Sequence, residues 1–404
     1  MMQKPFSLAW RNLQRNPARS LLAGVTIFVG GVVLLCSLFL ADGIADGIVR
    51  NLVAIESGTA LVTYQDDAEG TKHAADFVKL HQRVRTGLEG TPGVTGLRER
   101  LRFDALLFGP GGDSATLAVK GIEPAKERQL SDYLAPASGR MVAAGQREVY
   151  LSQQAARQLK VQTGDPVTLL LTTWGDQINA VDLTVSGIFT DIAPWVDYVA
   201  YVPLPVARQA FAADISNQYL LDTAQLSEAS AVVAATTTRL AGLPVQVQSY
   251  RAAGGFLLSI ATANRYTFLG FSALLFIVVG LGIASLIGIT VRERRPELGM
   301  LSAIGFESGQ LVNMLVLEAL LLAALATLAA VLAGSAIYLG LSQHGIALDG
   351  VARNAFGSAR LMPAVHGYQL AVTVTACLLM ALAGAFLPAR RILRLPADEV
   401  FRKG

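Results

Sequence analysis

Four stretches of this 404-residue chain carry no Asp, Glu, Lys or Arg for long enough to cross a bilayer: Ser20 to Ala41, Tyr266 to Val291, Ala319 to Gln343 and Gly367 to Ala389. A crossing needs about 20 apolar residues at a rise of about 1.5 Å each. Only 16% of residues are charged, where a soluble globular chain carries about a quarter, so the solvent of much of this protein is lipid. The first stretch follows basic residues, as a secretory signal would. A signal core, however, spans only about 7 to 15 residues, and Ser20 to Ala41 is longer.

The spans divide the chain into nine segments: 1–19, span one at 20–41, a long insert at 42–265, span two at 266–291, a loop at 292–310, span three within 311–343, a short loop at 344–366, span four at 367–389, and a tail at 390–404. Segments 1–19, 292–310 and 390–404 hold 12 basic and five acidic residues, whereas the loop at 344–366 has only Arg353 and Arg360 as basic residues. Lys and Arg in short loops mark the cytoplasmic side, which places both termini inside and the long insert outside. The overall excess of 33 basic over 30 acidic residues is too small to define a polyanion-binding surface, and no nucleic acid is expected as partner.

Both cysteines, Cys36 and Cys377, fall within spans, so the external insert has no disulfide. With over 200 residues it is long enough to bury a core of its own.

Leu40, Ile44, Ile48, Leu52 and Ile55 continue a helical stripe beyond span one, which predicts a stalk rising into the external domain. Gly43 and Gly47 weaken it by about 1 kcal/mol each relative to Ala, and a hinge there is the alternative. Within the insert, Thr59–Tyr64, Thr116–Val119, Val167–Leu171 and Val181–Phe189 read as strands. Phe77, Leu80, His81, Val84 and Leu88 mark one amphipathic helix, and Gln153–Leu159 another. The alternation gives a mixed α+β domain without fixing strand order. Before span one, Phe6, Trp10 and Leu13 lie on one face of a short helix suited to the membrane interface, with Trp10 at headgroup depth, ended by Asn16-Pro17.

None of the seven lysines follows a glycine, so the chain has no phosphate cradle of the kind in which backbone N–H groups and a lysine surround the β- and γ-phosphates. Gly109-Pro110-Gly111-Gly112-Asp113 reads as a turn between strands. His73, His81, His344 and His366 form no zinc motif, and no G-x-S-x-G occurs. No catalytic residue, cofactor site or metal site is assigned. Glu318 stands at the inner end of span three, where solvation or a neighbouring arginine accounts for it better than a proton path. Trp174 and Trp195 read as packing residues, with contact to cargo or a partner as the alternative.

The loop after span two is the most informative. Pro296 suits a first helical position and Glu297 the positive helix end. Leu298, Leu301 and Ile304 supply an apolar side, and Gly305 a stop. An amphipathic helix tied at both ends to membrane spans is shaped to dock into a groove on a soluble partner.

These features, with Ala9-Trp10-Arg11-Asn12-Leu13, Arg19-Ser20-Leu21-Leu22, Leu317-Glu318-Ala319-Leu320-Leu321, Leu387-Pro388-Ala389-Arg390-Arg391 and Pro396-Ala397-Asp398-Glu399-Val400, resemble the permease subunits of FtsX/MacB-like (type VII) ABC transporters, including the lipoprotein-releasing LolC and LolE permeases. Glu148-Val149-Tyr150-Leu151, Gly164-Asp165-Pro166-Val167-Thr168 and Val185-Ser186-Gly187-Ile188-Phe189 resemble that family's external domain. Pro296 and Ser302 depart from it, standing where relatives often carry a charge.

The resemblance implies a bacterial inner-membrane protein of four transmembrane α-helices, with a large mixed α+β periplasmic domain inserted between helices 1 and 2. It implies a dimer with a second permease copy or homologue, served by an ABC ATPase subunit that binds ATP and Mg, so that this chain is not itself the enzyme. Glu297, Leu298, Met300, Leu301, Ile304 and Gly305 would form the contact with that ATPase. The function implied is coupling of ATP hydrolysis to motion of the periplasmic domain, with release of a lipoprotein or other lipid-anchored cargo favoured. Export of a drug, peptide or toxin with a periplasmic adaptor, and signalling to a cell-wall hydrolase, are the alternatives.

Overall fold

The computed structural model describes residues 17–65, 74–173, 177–190, 196–293, 297, 299–301, 304, 306–348 and 360–389. The proposed interfacial residues Phe6, Trp10 and Leu13, the span-flanking Pro296, and Trp174 and Trp195 lie outside these residues, as do Leu298 and Gly305. The chain separates into two compact units: residues 1–45, 262–346 and 361–404 form one, and 46–261 with 347–360 the other.

The first unit is built on four helices long and apolar enough to cross a membrane. Helix α1 runs Pro17–Leu52, and three further long helices cover Gly255–Glu293, Ser308–His344 and Gly367–Ala389. Small residues let them approach closely, as is usual where lipid supplies no hydrophobic drive between helices. A Cβ on Gly31 would lie 2.9 Å from Ala330 Cβ, one on Gly334 2.8 Å from Leu35, and one on Gly384 2.9 Å from Ile283.

Three of the helices extend beyond the uncharged stretches of the sequence, because a helix continues as long as its backbone bonds do, whether or not its surface is apolar. The helix of the third span starts at Ser308, so Glu318 stands ten residues inside that helix, about 15 Å along its axis. The helix over Gly43 and Gly47 is unbroken. Gly43 has a packing reason instead of a hinge role: a Cβ there would fall 1.9 Å from the carbonyl oxygen of Met362, whereas one on Gly47 would meet nothing.

Within the second unit, α1 widens at its end into a π-helical turn, Val53–Ser57. There follow β1 (Ala60–Tyr64), α2 (Ala74–Leu88), β2 (Gly96–Phe108), β3 (Ser114–Ile122), α3 (Arg128–Tyr133), β4 (Pro136–Gly139), β5 (Glu148–Ser152) and α4 (Gln153–Leu159). After these come β6 (Pro166–Thr172), β7 (Ile178–Phe189), β8 (Val199–Pro203), α5 (Leu204–Phe211), β9 (Gln218–Asp222), α6 (Ala229–Arg239), β10 (Val245–Ser249) and α7 (Tyr250–Ala253). The remaining long helices are then α8 (Gly255–Glu293), α9 (Ser308–His344) and α10 (Gly367–Ala389).

The strands form one sheet in the order β10-β1-β9-β2-β3-β8-β5-β7-β4, with β6 paired to β2 and β7. Its long strand β2 is the spine, antiparallel to β3, β6 and β9. β2 has no counterpart in the sequence reading, because Arg98, Glu99, Arg100, Arg102 and Asp104 obscure its apolar alternation. Gly109 N–H bonds Asp113 C=O at 2.9 Å and Gly112 N–H bonds Gly109 C=O at 3.0 Å, closing the β2–β3 hairpin at the glycine-rich turn. The Ser152 side chain accepts from Ala155 N–H at 3.1 Å and so starts α4 as an N-cap.

Candidate functional site

The α1 stripe Ile44, Ile48, Leu52 and Ile55 is buried. Leu52 packs with Ala229 and Tyr250, while Ala54 and Ile55 join a cluster with Leu130, Tyr150, Phe189 and Tyr201. At the end of the helix the N–H of Gly58 reaches back to Val53 C=O at 3.0 Å. Gly58 is in the left-handed region, at φ +61°, and a Cβ there would lie 2.9 Å from Leu221 C=O, so only glycine makes this exit without strain.

A helix end leaves carbonyls without partners and carries the negative end of the helix dipole. Here two buried arginines take them. Alternation along β2 puts Arg98, Arg100 and Arg102 on one face and Glu99 on the other. Arg98 donates from Nη1 to Ala54 C=O at 2.9 Å and from Nη2 to Val53 C=O at 3.3 Å. Arg100 donates from Nη1 to Ile55 C=O.

The positive charges are matched within the cluster. Arg98 forms a two-pronged pair with Asp222 at 2.8 and 2.7 Å. Glu127 accepts from Arg100 at 2.6 and 2.8 Å and from Arg98 at 3.1 Å. Lys120 donates to Glu56 at 2.5 Å. Arg100 is 0% and Glu127 1% exposed. Burial works to raise the Glu127 carboxyl, but the Arg100 and Arg98 guanidiniums beside it hold it below its ordinary value. Burial pushes the Lys120 ammonium below its ordinary range against the pull of Glu56. Burial, with the Glu56 charge adding to it, raises the Tyr201 hydroxyl well above its usual value, and this buried hydroxyl has no hydrogen-bond partner.

On the opposite face of β2, Glu99 accepts from Arg208 at 3.1 Å and lies 3.2 Å from Arg85. His81, buried in α2, takes Ser216 N–H at 3.3 Å on Nδ1 and contacts the Tyr219 hydroxyl. Burial lowers its pKa below the ordinary 6.5. Among the described residues, no group of three His, Cys, Asp or Glu could hold a metal ion.

In the first unit the buried carboxylate is Asp42, one residue past the first uncharged stretch. It accepts from Gln369 Nε2 at 2.5 Å and from the Tyr368 hydroxyl, with Arg265 Nε and His366 Nδ1 each 3.8 Å away. This clasp joins α1, α8 and the start of α10. Arg265 also donates to the Tyr368 hydroxyl at 3.1 Å.

Of the loop residues, Glu297, Gly299, Met300 and Leu301 are helical and Ile304 is in a turn. Ile304 is 75% and Met300 62% exposed, and Glu297 is exposed as well. Leu301 faces inward, packing against Leu311, Val312 and Leu315 of α9. The described part of the loop thus divides its apolar residues between a foot on α9 and an outward pair.

Residues 20–240 match the family model for a MacB-like periplasmic core domain, and residues 269–397 that for an FtsX-like permease C-terminal region. The chain belongs to the MacB/FtsX-like permease family. It is a membrane protein with a periplasmic-type domain, the permease component of a type VII ABC transporter. Solved structures similar to it include the extracellular domain of the noncanonic ABC-type transporter YknZ from Gram-positive bacteria. That match has 16% identity, covers 47% of this chain and 99% of that one, and has a TM-score of 0.34. The periplasmic region of MacB from Actinobacillus actinomycetemcomitans is similar at 12% identity, covering 52% and 97%, with a TM-score of 0.35.

In a MacB/FtsX-like permease the arginine anchor acquires a physical role. It makes the last turns of the helix, Val53 to Ile55, part of the core of the second unit. Sequence reasoning missed the anchor. Its one signal was three arginines at spacing two, Arg98, Arg100 and Arg102, which also fits a solvated strand face.

Proposed function

We propose that this permease subunit converts ATP hydrolysis by a separate ABC ATPase, which binds the ATP and Mg, into movement of the periplasmic domain. It acts in the bacterial inner membrane with both termini in the cytoplasm, and pairs with a second permease copy or homologue. The observation that carries this reading is the anchor: Arg98 and Arg100 hold the carbonyls of Val53, Ala54 and Ile55 within hydrogen-bond distance. A displacement of α1 therefore meets a buried ionic network rather than a soft linker. Glu297, Met300 and Ile304 form the surface offered to the ATPase, with Leu298 and Gly305 completing the segment and Leu301 fixing it to α9.

The cargo favoured is a lipoprotein or other lipid-anchored molecule, by likeness to the lipoprotein-releasing permeases. Co-purification with the cognate ATPase followed by mass spectrometry of the retained molecules tests this. Bound acylated protein supports release, whereas a periplasmic adaptor or a cell-wall hydrolase in its place would turn the reading to export or signalling.

A further inference from the structure

On the face of β2 that carries the anchor, the second unit has a hollow of about 760 Å³. Its buried lining includes Lys120, which is paired with Glu56 at 2.5 Å, so that the two charges balance. Its exposed lining includes Arg102, Asp104 and Thr116, with the Tyr198 ring 46% and the Phe256 ring 77% in solvent. A large aromatic so exposed is a mark of an interaction surface when polar groups surround it.

Arg102 and Asp104 are next neighbours on one face of β2, about 7 Å apart, opposite Lys120 and Ala118 of β3. Among the described residues neither side chain has a partner of opposite charge, and Arg102 is held to Asn217 through its backbone.

This juxtaposition restricts what can cover the face. An anion brought to Arg102 meets Asp104, and a cation brought to Asp104 meets Arg102, so a ligand of single sign gains from one and loses to the other. A surface with both signs at the same spacing, running the opposite way, satisfies both. A second copy of this strand turned about a two-fold axis is such a surface, because a residue that contacts another in one direction is contacted by it in return. Shape agrees with charge. Phe256 is a protruding ring beside a hollow lined in part by Leu61, Leu117 and Val199, and a knob next to a hole is likewise a pair that a two-fold can match with itself.

We propose that this face of the second unit is a contact between two copies of the chain. Arg102 of each copy pairs with Asp104 of the other, and Phe256 of each sits in the hollow of the other. Exposed ion pairs add little affinity. They fix the register, while the two buried rings supply the attraction. The inference rests on the reading that the permease pairs with a second copy, and adds the surface through which it does so.

The test uses the full-length chain with its ATPase in nanodiscs, with p-benzoylphenylalanine at position 256, which keeps an aromatic group there. Photolysis, denaturing electrophoresis and mass spectrometry of the junction peptides read what that ring touches. The proposal predicts a covalent dimer with junctions at residues 116–118 or 198–199. Arg102→Glu and Asp104→Arg should each lower its yield by about tenfold or more, since each sets like charges against one another at two places, and the double exchange should restore it. Circular dichroism should show the fold unchanged in all three, because neither side chain is buried. Absence of the dimer, junctions elsewhere, adducts with lipid or another protein in its place, or a yield indifferent to the charges would overturn the proposal. Native mass spectrometry of the same preparation tells this failure from that of the pairing itself. Two copies without the junction reject the surface alone, whereas one copy per complex rejects the pairing and the surface with it.

Discussion

Arg100 and Ile55 are 45 positions apart in the chain, yet the guanidinium of the first donates to the backbone carbonyl of the second. The bond joins the middle of the sheet spine to the helix that leaves the candidate membrane span. Removing Arg100 strands Glu127 in the core without its strongest partner. Breaking a buried pair in this way costs about 3–5 kcal/mol. For a domain of this size each kcal/mol lowers the melting temperature by roughly 2–4 °C, so Arg100→Ala should melt about 6–20 °C below the native chain in detergent. Replacement of the exposed Arg102 by Ala serves as the control, with no shift expected.

Acid should weaken the periplasmic domain in two steps. Burial depresses His81 below 6.5, so the unfolded chain binds the proton first, and stability present above that value declines as pH falls below it. The depressed Glu127 carboxyl contributes stability that is full above its ordinary 4.5 and is lost as pH falls further, through its lower folded-state value. Urea titrations at a series of pH values should show the upper step vanish in His81→Gln while the lower step remains. A native pH profile retained by His81→Gln would reject the assignment.

Gly43 and Gly47 give opposite outcomes when replaced by alanine. At Gly47 a Cβ meets nothing, and the substitution should stabilise the helix by about 1 kcal/mol with transport-linked ATPase activity retained. At Gly43 a Cβ would collide with the Met362 carbonyl, and the melting temperature should fall. Loss of activity at Gly47→Ala without loss of stability would restore the hinge.

Within the cytoplasmic loop the two apolar residues separate docking from folding. Ile304→Asp, at an exposed position, should abolish co-purification with the cognate ATPase at an unchanged melting temperature. Leu301→Asp should instead lower the melting temperature by disrupting its packing on Leu311, Val312 and Leu315, at a cost of about 2 kcal/mol. ATPase retention by Ile304→Asp would remove that residue from the interface.

Local signals in the sequence were enough for part of this architecture. Gln153–Leu159 and Gly367–Ala389 form helices with the bounds that periodicity and hydropathy set, and Gly109–Asp113 closes a hairpin, because the determining residues are neighbours. The anchor is different in kind. Arg98, Glu127 and Asp222 meet only after β2 has paired with β9, a strand more than 100 residues later. Before that pairing, three arginines in a strand look like a solvated face. Asp42 was illegible for a related reason: its partners Tyr368 and Gln369 arrive from the other end of the chain, and alone it reads as the charged boundary of a span.

On the proposed function, α1 carries motion into the periplasmic domain. With Cys36 and Cys377 replaced by Ser, spin labels at positions 83 and 266 can report the distance between the domain and the second span in the reconstituted complex with its ATPase. Electron-electron resonance should show a nucleotide-dependent change in that distance, and a Gly-Ser-Gly-Ser insertion between Asp46 and Gly47 should abolish the change while ATP hydrolysis continues. The same change persisting through the insertion would contradict the account.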